Sequence, residues 1–177
     1  MSKSARERHI MRTCYERCLG IGRCGLAAVR LWSCEHGSMD RVVIGRGSRT
    51  ATFRDAVGAA GDAPYEGEGS FIIELRAEGL HAERTVFVFS FDWENLVAFF
   101  EDLAESWRGW DGEKTWNSIE HDLAITATSD PGRHCSLLLT VRGGPHSTWE
   151  AAMGGLEVDS GEDLAALARS MRAWALE

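Results

Sequence analysis

Residues 92–123 read DWENLVAFFEDLAESWRGWDGEKTWNSIEHDL and predict a helix, a stop and a loop that leads into a strand. Apolar side chains recur at the spacing of one helix face; they are Leu96, Phe99, Phe100, Leu103 and Trp107. Asp92 is a suitable N-cap residue, since its carboxylate can accept the free N–H groups of the first turn. Gly109 suits the left-handed position just past a helix end. We therefore expect an amphipathic helix that begins at Asp92 and ends before Gly109.

Alternating apolar and polar residues predict strands on both sides of this helix. Four strands are expected before it and three after it, at 41–45, 49–53, 71–77, 81–91, 123–128, 135–141 and 149–158. The run VFVFSF within 81–91 is apolar on both faces, which is typical of a central strand. The last strand is expected to carry a bulge at Gly154-Gly155.

A second amphipathic helix is predicted at the C-terminal end, with Ser160 as its cap. Its expected buried face consists of Leu164, Leu167, Ala168, Met171 and Trp174. Tight turns between the strands favour antiparallel pairing. The predicted fold class is therefore α+β, with one mostly antiparallel sheet of six or seven strands and both helices packed on it, in the order four strands, helix, three strands, helix.

The chain divides by charge near residue 38. Residues 1–38 carry seven basic and three acidic side chains, whereas 39–177 carry twelve basic and twenty-four acidic ones, for a total charge of −8. We expect 39–177 to form a single domain. The basic segment 1–38 is expected to be a poorly ordered or partly helical extension.

Four cysteines, Cys14, Cys18, Cys24 and Cys34, fall in this extension. Their spacings lack the close pair of a regular zinc site, and a disulfide framework would need an oxidising compartment. We therefore predict no metal and no cofactor. One alternative is that these cysteines sense metal or redox state.

The acidic body disfavours nucleic acid as a partner, because it repels the phosphate backbone. It suits a protein partner with a basic surface, although acidic surfaces also serve solubility alone. No apolar run approaches eighteen residues, so we predict no membrane span. A convincing signal peptide is also missing, and a cytoplasmic location is expected.

The loop after the first helix is the candidate binding site, since aromatic side chains anchor many protein interfaces. Its candidate contact residues are Trp110, Asp111, Glu113, Lys114 and Trp116. In the structural alternative, Trp110 and Trp116 only fill the gap between helix and sheet. No catalytic residue is assigned.

A small enzyme or metal protein is the main functional alternative. His121, Asp122 and Cys135 are the side chains it would use, as acid–base pair, ligands or nucleophile. Neighbouring strand residues point to opposite faces, which argues against convergence of His121 and Asp122. Cys135 is in step with Leu137 and Leu139, as expected for a core residue.

The spacing GW-x-G-x3-W-x-S, carried by Trp110, Gly112, Trp116 and Ser118, resembles an uncharacterised actinobacterial family, domain-of-unknown-function family 6228. The resemblance covers about 41–175 and implies no activity and no catalytic residue. The plan of strands and helices is also similar to that of WapI-type immunity proteins, an analogy of architecture. We therefore expect a non-enzymatic protein-binding module, with an immunity protein against a basic toxin as its specific form.

Overall fold

The computed structural model describes residues 29–32, 40–58, 68–130, 134–144 and 148–176, the first of these ranges as backbone only. The first sheet contains β1 (Val29–Trp32), β2 (Arg41–Arg46), β3 (Arg49–Val57), β4 (Glu68–Ala77) and β5 (Leu80–Phe89). Helix α1 (Ser90–Glu105) follows β5 directly. The second sheet contains β6 (Glu113–Asn117), β7 (Leu123–Asp130), β8 (His134–Arg142) and β9 (Glu150–Asp159), and helix α2 (Glu162–Leu176) comes last.

Each sheet is an antiparallel meander in which strands pair in chain order. The α+β class is therefore confirmed, but the single sheet of six or seven strands is wrong. The described chain forms one sheet of five strands and one of four. The difference arises at α1, which carries the chain away from β5, so that β6 begins a new sheet instead of extending the first one.

The two sheets and both helices share one apolar core. Strand β9 lies beside β2, β8 approaches β5, and the helices pack against each other. An aromatic cluster joins these elements: the ring of Trp174 lies 5.8 Å from Phe53, 5.4 Å from Phe71 and 5.6 Å from Trp93. Helix α2 buries all five residues predicted for its inner face.

The buried face of α1 follows the predicted spacing as far as Leu103. Trp107 departs from it: the helix ends at Glu105, so helical periodicity no longer orients this side chain, and it is 45 % exposed. The prediction that Asp92 is the N-cap of this helix is also wrong. The helix begins at Ser90, and Asp92 lies in its first turn, where its Oδ2 accepts the Phe89 N–H at 2.8 Å.

Strand β5 is an edge strand, so the prediction of a central strand is wrong. Val86 and Val88 point into the core, but Phe87 and Phe89 are exposed on the other face. The apolar run continues into α1, where the exposed Phe91 stacks on Phe89 with ring centroids 6.0 Å apart.

The bulge predicted in the last strand is confirmed. Leu137 pairs with Leu156 while Leu139 pairs with Met153, so β9 uses one residue more than β8 over this stretch. Gly155 accommodates the extra residue with a φ of +70°.

Strand β1 lies within the predicted extension 1–38 and pairs with β2. The first sheet therefore begins before residue 39. Cys14, Cys18, Cys24 and Cys34 lie outside the described residues, and the expectation for them stays a prediction. Neither α1 nor α2 is long and apolar enough to cross a bilayer, a finding that applies to the described part of the chain.

Candidate functional site

The predicted tryptophan loop is in part a strand, and its five candidate residues face different ways. Glu113, Lys114 and Trp116 lie on β6, an edge strand of the second sheet. Trp116 points into the core and is only 7 % exposed, and Trp110 packs half-buried against the same core. The structure thus does not bring the two rings together as one exposed surface.

Lys114 ties β6 to the end of α1. Its Nζ lies 2.6 Å from Asp102 Oδ2 and donates a hydrogen bond to Ser106 Oγ at 2.7 Å. The same ammonium group lies 5.0 Å from the ring centroid of Trp110, within cation–π range. Lys114 is therefore engaged within the protein.

The exposed aromatic residue of this region is Trp107. Trp107 lies just beyond the end of α1, and the guanidinium carbon of Arg108 lies over its ring, 4.7 Å from the ring centroid. Asp111 and Glu113 follow within six residues, and both are exposed. We call Trp107, Asp111 and Glu113 the tryptophan surface. Trp107 was predicted on the apolar face of the helix but is a surface residue, because the helix ends two residues before it.

The turn between β6 and β7 is organised by a buried serine. Ser118 Oγ donates to Asp122 Oδ1 at 2.6 Å and accepts the Leu123 N–H at 3.0 Å. The turn also places His121 in the left-handed region, with a φ of +57°, and leaves its side chain exposed. The serine of the GW-x-G-x3-W-x-S pattern therefore holds a turn closed, and its glycine, Gly112, has a φ of +77° that favours glycine.

Cys135 does not join His121 and Asp122. In the β7–β8 ladder Leu123 faces Val141, and Ser129 faces Cys135. Leu123 and Ser129 are six residues apart along β7, and each residue of a strand adds about 3.3 Å. Cys135 therefore lies roughly 20 Å from the turn that holds Asp122. Burial also raises the pKa of the Cys135 thiol to about 12, which opposes a nucleophilic role.

A cleft of about 550 Å³ opens between β5, the β6–β7 turn and the end of β8. We call it the arginine cleft; it is lined chiefly by Arg84, Phe87, Asp122, Arg142, Gly143 and Gly144. Asp122 is 3 % exposed, and its Oδ2 lies 3.4 Å from Arg84 Nε. This ion pair joins the two sheets. Neither atom has a hydrogen-bond partner among the described residues.

A second group of polar side chains lies on the outer face of the first sheet. Glu74, His81 and Glu83 bring their ligand atoms within 4.8 Å of one another. However, Arg76 Nη2 contacts Glu74 at 2.6 Å, and Arg54 Nη2 contacts Glu83 at 2.7 Å. The hydrogen bond from Arg76 lowers the pKa of Glu74. A metal ion would have to displace both arginines, and we interpret the group as a surface ion-pair network.

No curated protein sequence and no solved structure matches this chain significantly. The profile of a family of unknown function (DUF6228) matches residues 46–177. This range starts at the end of β2 and contains β3–β9 and both described helices, with the tryptophan surface and the arginine cleft. The chain therefore belongs to the family of unknown function DUF6228.

Proposed function

We propose that this protein is a cytoplasmic, non-enzymatic protein-binding module that recognises a basic partner through the tryptophan surface. The observation that carries the proposal is that Trp107 is 45 % exposed and that two exposed carboxylates, those of Asp111 and Glu113, follow it by four and six residues in the chain. An exposed tryptophan on an acidic surface is suited to a partner that has an apolar pocket surrounded by basic side chains.

The two kinds of residue would contribute differently. Truncation of an aromatic anchor at the centre of an interface costs about 2 kcal/mol or more, which corresponds to roughly thirtyfold in affinity. Rim carboxylates mainly raise the association rate, and they do so most at low salt. The acidic charge of 39–177 extends this attraction over the whole body.

The specific form of this proposal is an immunity protein that blocks a basic toxin. The acidic charge of 39–177 and the similarity of architecture to WapI-type immunity proteins favour this form. The family match adds no activity to it, since the family has no assigned function. A surface that blocks a partner needs complementary shape and charge but no catalytic group, and the tryptophan surface offers that combination.

The test compares three full-length tagged proteins as baits in lysate from the native cell. They are the wild type, the triple variant Trp107→Ala/Asp111→Lys/Glu113→Lys, and the control Glu78→Lys. Glu78 is exposed in the turn between β4 and β5, so its reversal changes charge on a different element. Circular dichroism would first verify that all three are folded.

We expect one basic protein to bind the wild type and the control stoichiometrically and to be lost by the triple variant. The purified partner should then bind Trp107→Ala at least tenfold more weakly. Retention of the same partner by the triple variant would refute the tryptophan surface. A wild-type bait that captures no stoichiometric protein would count against the binding-module function itself.

A further inference from the structure

The arginine cleft holds one guanidinium group in an unusual position. Arg84 lies on the inner face of β5, the face that otherwise carries Ala82, Val86 and Val88. Its Nε side is directed at Asp122, a nearly fully buried carboxylate. Asp122 in turn is fixed by Ser118 Oγ at 2.6 Å. Asp122 thus places a fixed negative charge beside the Arg84 guanidinium group, and both Asp122 and Ser118 are buried.

Arg84 also lines the cleft, with its Nη2 next to Gly144. Asp122 is the charged partner that the described residues provide, so the two Nη groups are available to a ligand. Gly144 makes this possible, because a Cβ atom at this position would lie 2.8 Å from Arg84 Nη2. The Nη groups of an arginine form a planar pair of donors that matches a carboxylate.

Arg142 adds a second cation on the far wall. Its Nε donates to Glu150 Oε2 at 2.7 Å, and its Nη1 donates to the His121 carbonyl at 3.2 Å. Phe87, 58 % exposed, also lines the cleft; it points to the face of β5 opposite Arg84, so the cleft extends over the edge of this strand. The acidic residues Asp122 and Glu120 also line the cleft, so its net charge is low. This charge balance favours an anion with a single charge over a dianion such as a phosphate monoester.

We propose that the arginine cleft binds a monocarboxylate attached to a flat apolar group. The carboxylate lies on the Nη edge of Arg84 with Arg142 nearby, and the apolar group lies against Phe87. This site is separate from the tryptophan surface in residues and in ligand chemistry, so either proposal can fail alone. It assigns a small-molecule ligand class to a chain of a family of unknown function.

The test uses benzoate as the probe and the full-length protein, followed by ¹H–¹⁵N NMR that includes the arginine Nε–H signals. We expect saturable shifts at Arg84 and at the Phe87, Gly143 and Gly144 amides. Benzamide, the neutral isostere, and phenyl phosphate, the dianion, should each bind at least tenfold more weakly. Equal binding of benzamide would refute a role for the charge, and tighter binding of phenyl phosphate would refute the preference for a monoanion.

Two glycine substitutions decide the location. Gly144→Ala places a methyl group against Arg84 Nη2 and should weaken benzoate binding about tenfold or more, whereas all charges are retained. Gly154→Ala is the matched control, because among the described residues its Cβ would meet only Leu138 Cδ1, at an ordinary 3.5 Å. Neither glycine has a positive φ, so both variants should fold. Unchanged affinity in Gly144→Ala, or benzoate shifts spread over arginines outside the cleft, would overturn the proposal.

Arg84→Gln tests the fork directly and should reduce benzoate affinity roughly ten- to a hundredfold, the range for a charged hydrogen bond. If this variant does not fold because Asp122 is left without its ion-pair partner, the Gly144→Ala result alone decides the question.

Discussion

Removal of the Ser118 hydroxyl should destabilise the protein far more than the same change at another buried serine. Ser118 is 1 % exposed, and its Oγ both donates to Asp122 Oδ1 and accepts the Leu123 N–H. In Ser118→Ala the carboxylate loses a donor and the amide loses its acceptor, both within the protein interior. A hydrogen bond to a charged group contributes about 1.5–3 kcal/mol, and an unsatisfied buried group costs about 1–3 kcal/mol.

Because the turn can relax in part, we expect the free energy of unfolding to fall by about 2–4 kcal/mol in Ser118→Ala. That is a large share of the roughly 5–15 kcal/mol typical of a folded domain. Ser170 supplies the control, being 3 % exposed and truncated by the same single atom. Its Oγ donates only to the Ala166 carbonyl one turn earlier in α2. Such a bond adds little to a helix, and Ser170→Ala should change stability by no more than about 0.5 kcal/mol.

Urea unfolding measures both variants, with tryptophan fluorescence and far-ultraviolet circular dichroism as independent probes. Coincident transitions with unchanged m-values would allow the two free energies to be compared. Losses that agree within about 0.5 kcal/mol for the two serines would refute the role assigned to Ser118. The turn would then owe its shape to the backbone alone.

Further predictions concern the tryptophans, the Cys135 thiol and the hairpin between β2 and β3. Trp116→Ala should cost about 3–5 kcal/mol in urea unfolding and Trp107→Ala less than about 1 kcal/mol, because only the first ring is buried. Burial raises the pKa of Cys135 above its ordinary value of 9.0, so stability should fall as pH rises above 9. At pH 8, peptide mapping should show iodoacetamide labelling of Cys135 roughly a hundredfold slower without urea than with it. Gly45→Ala should lower the melting temperature more than Gly47→Ala. A Cβ atom at Gly45 would clash with the Arg49 carbonyl oxygen, whereas a Cβ atom at Gly47 would have no neighbour within 4 Å among the described residues. Equal shifts for the two glycines, or fast labelling of Cys135 in the native protein, would contradict these assignments.

The predicted and observed residues agree best where a local pattern decides the structure. Leu96, Phe100 and Leu103 are buried on α1 because a helix of 3.6 residues per turn places them on one side. Leu137 and Leu139 are buried on β8 because a strand alternates its faces. The same rule located Cys135 in the core.

Local patterns failed where an element ended or a neighbour was absent. In the sequence, Trp107 continues the apolar spacing of α1, but the helix ends at Glu105. Phe87 and Phe89 extend an apolar run that suggested a strand covered on both faces, whereas β5 is the edge of its sheet. Periodicity states which residues share a face but contains no information on what covers that face.

The candidate sites illustrate the same limit. The tryptophan loop was identified from composition, but only the β6–β7 pairing turned Trp116 inward and left Asp111 and Glu113 in solvent. His121 and Asp122, two of the side chains considered for an enzyme or metal protein, line the arginine cleft, but no sequence pattern pointed to Arg84. Arg84 lies on β5 of the first sheet, and Asp122 lies 38 positions later in the turn between β6 and β7. The sequence around Arg84 does not show whether its side chain is exposed or is covered by the second sheet.

The sequence alone therefore determined the α+β class, the inner faces of α2 and of α1 as far as Leu103, the antiparallel pairing of the strands and the bulge in β9, because each depends on contacts within or between neighbouring segments. The tertiary structure alone decided that there are two sheets, that β5 is an edge strand, and that Ser118, Asp122 and Arg84 form a chain of contacts between the sheets. These features depend on which distant surfaces exclude water from each other, and that choice is made by the packing of the whole core.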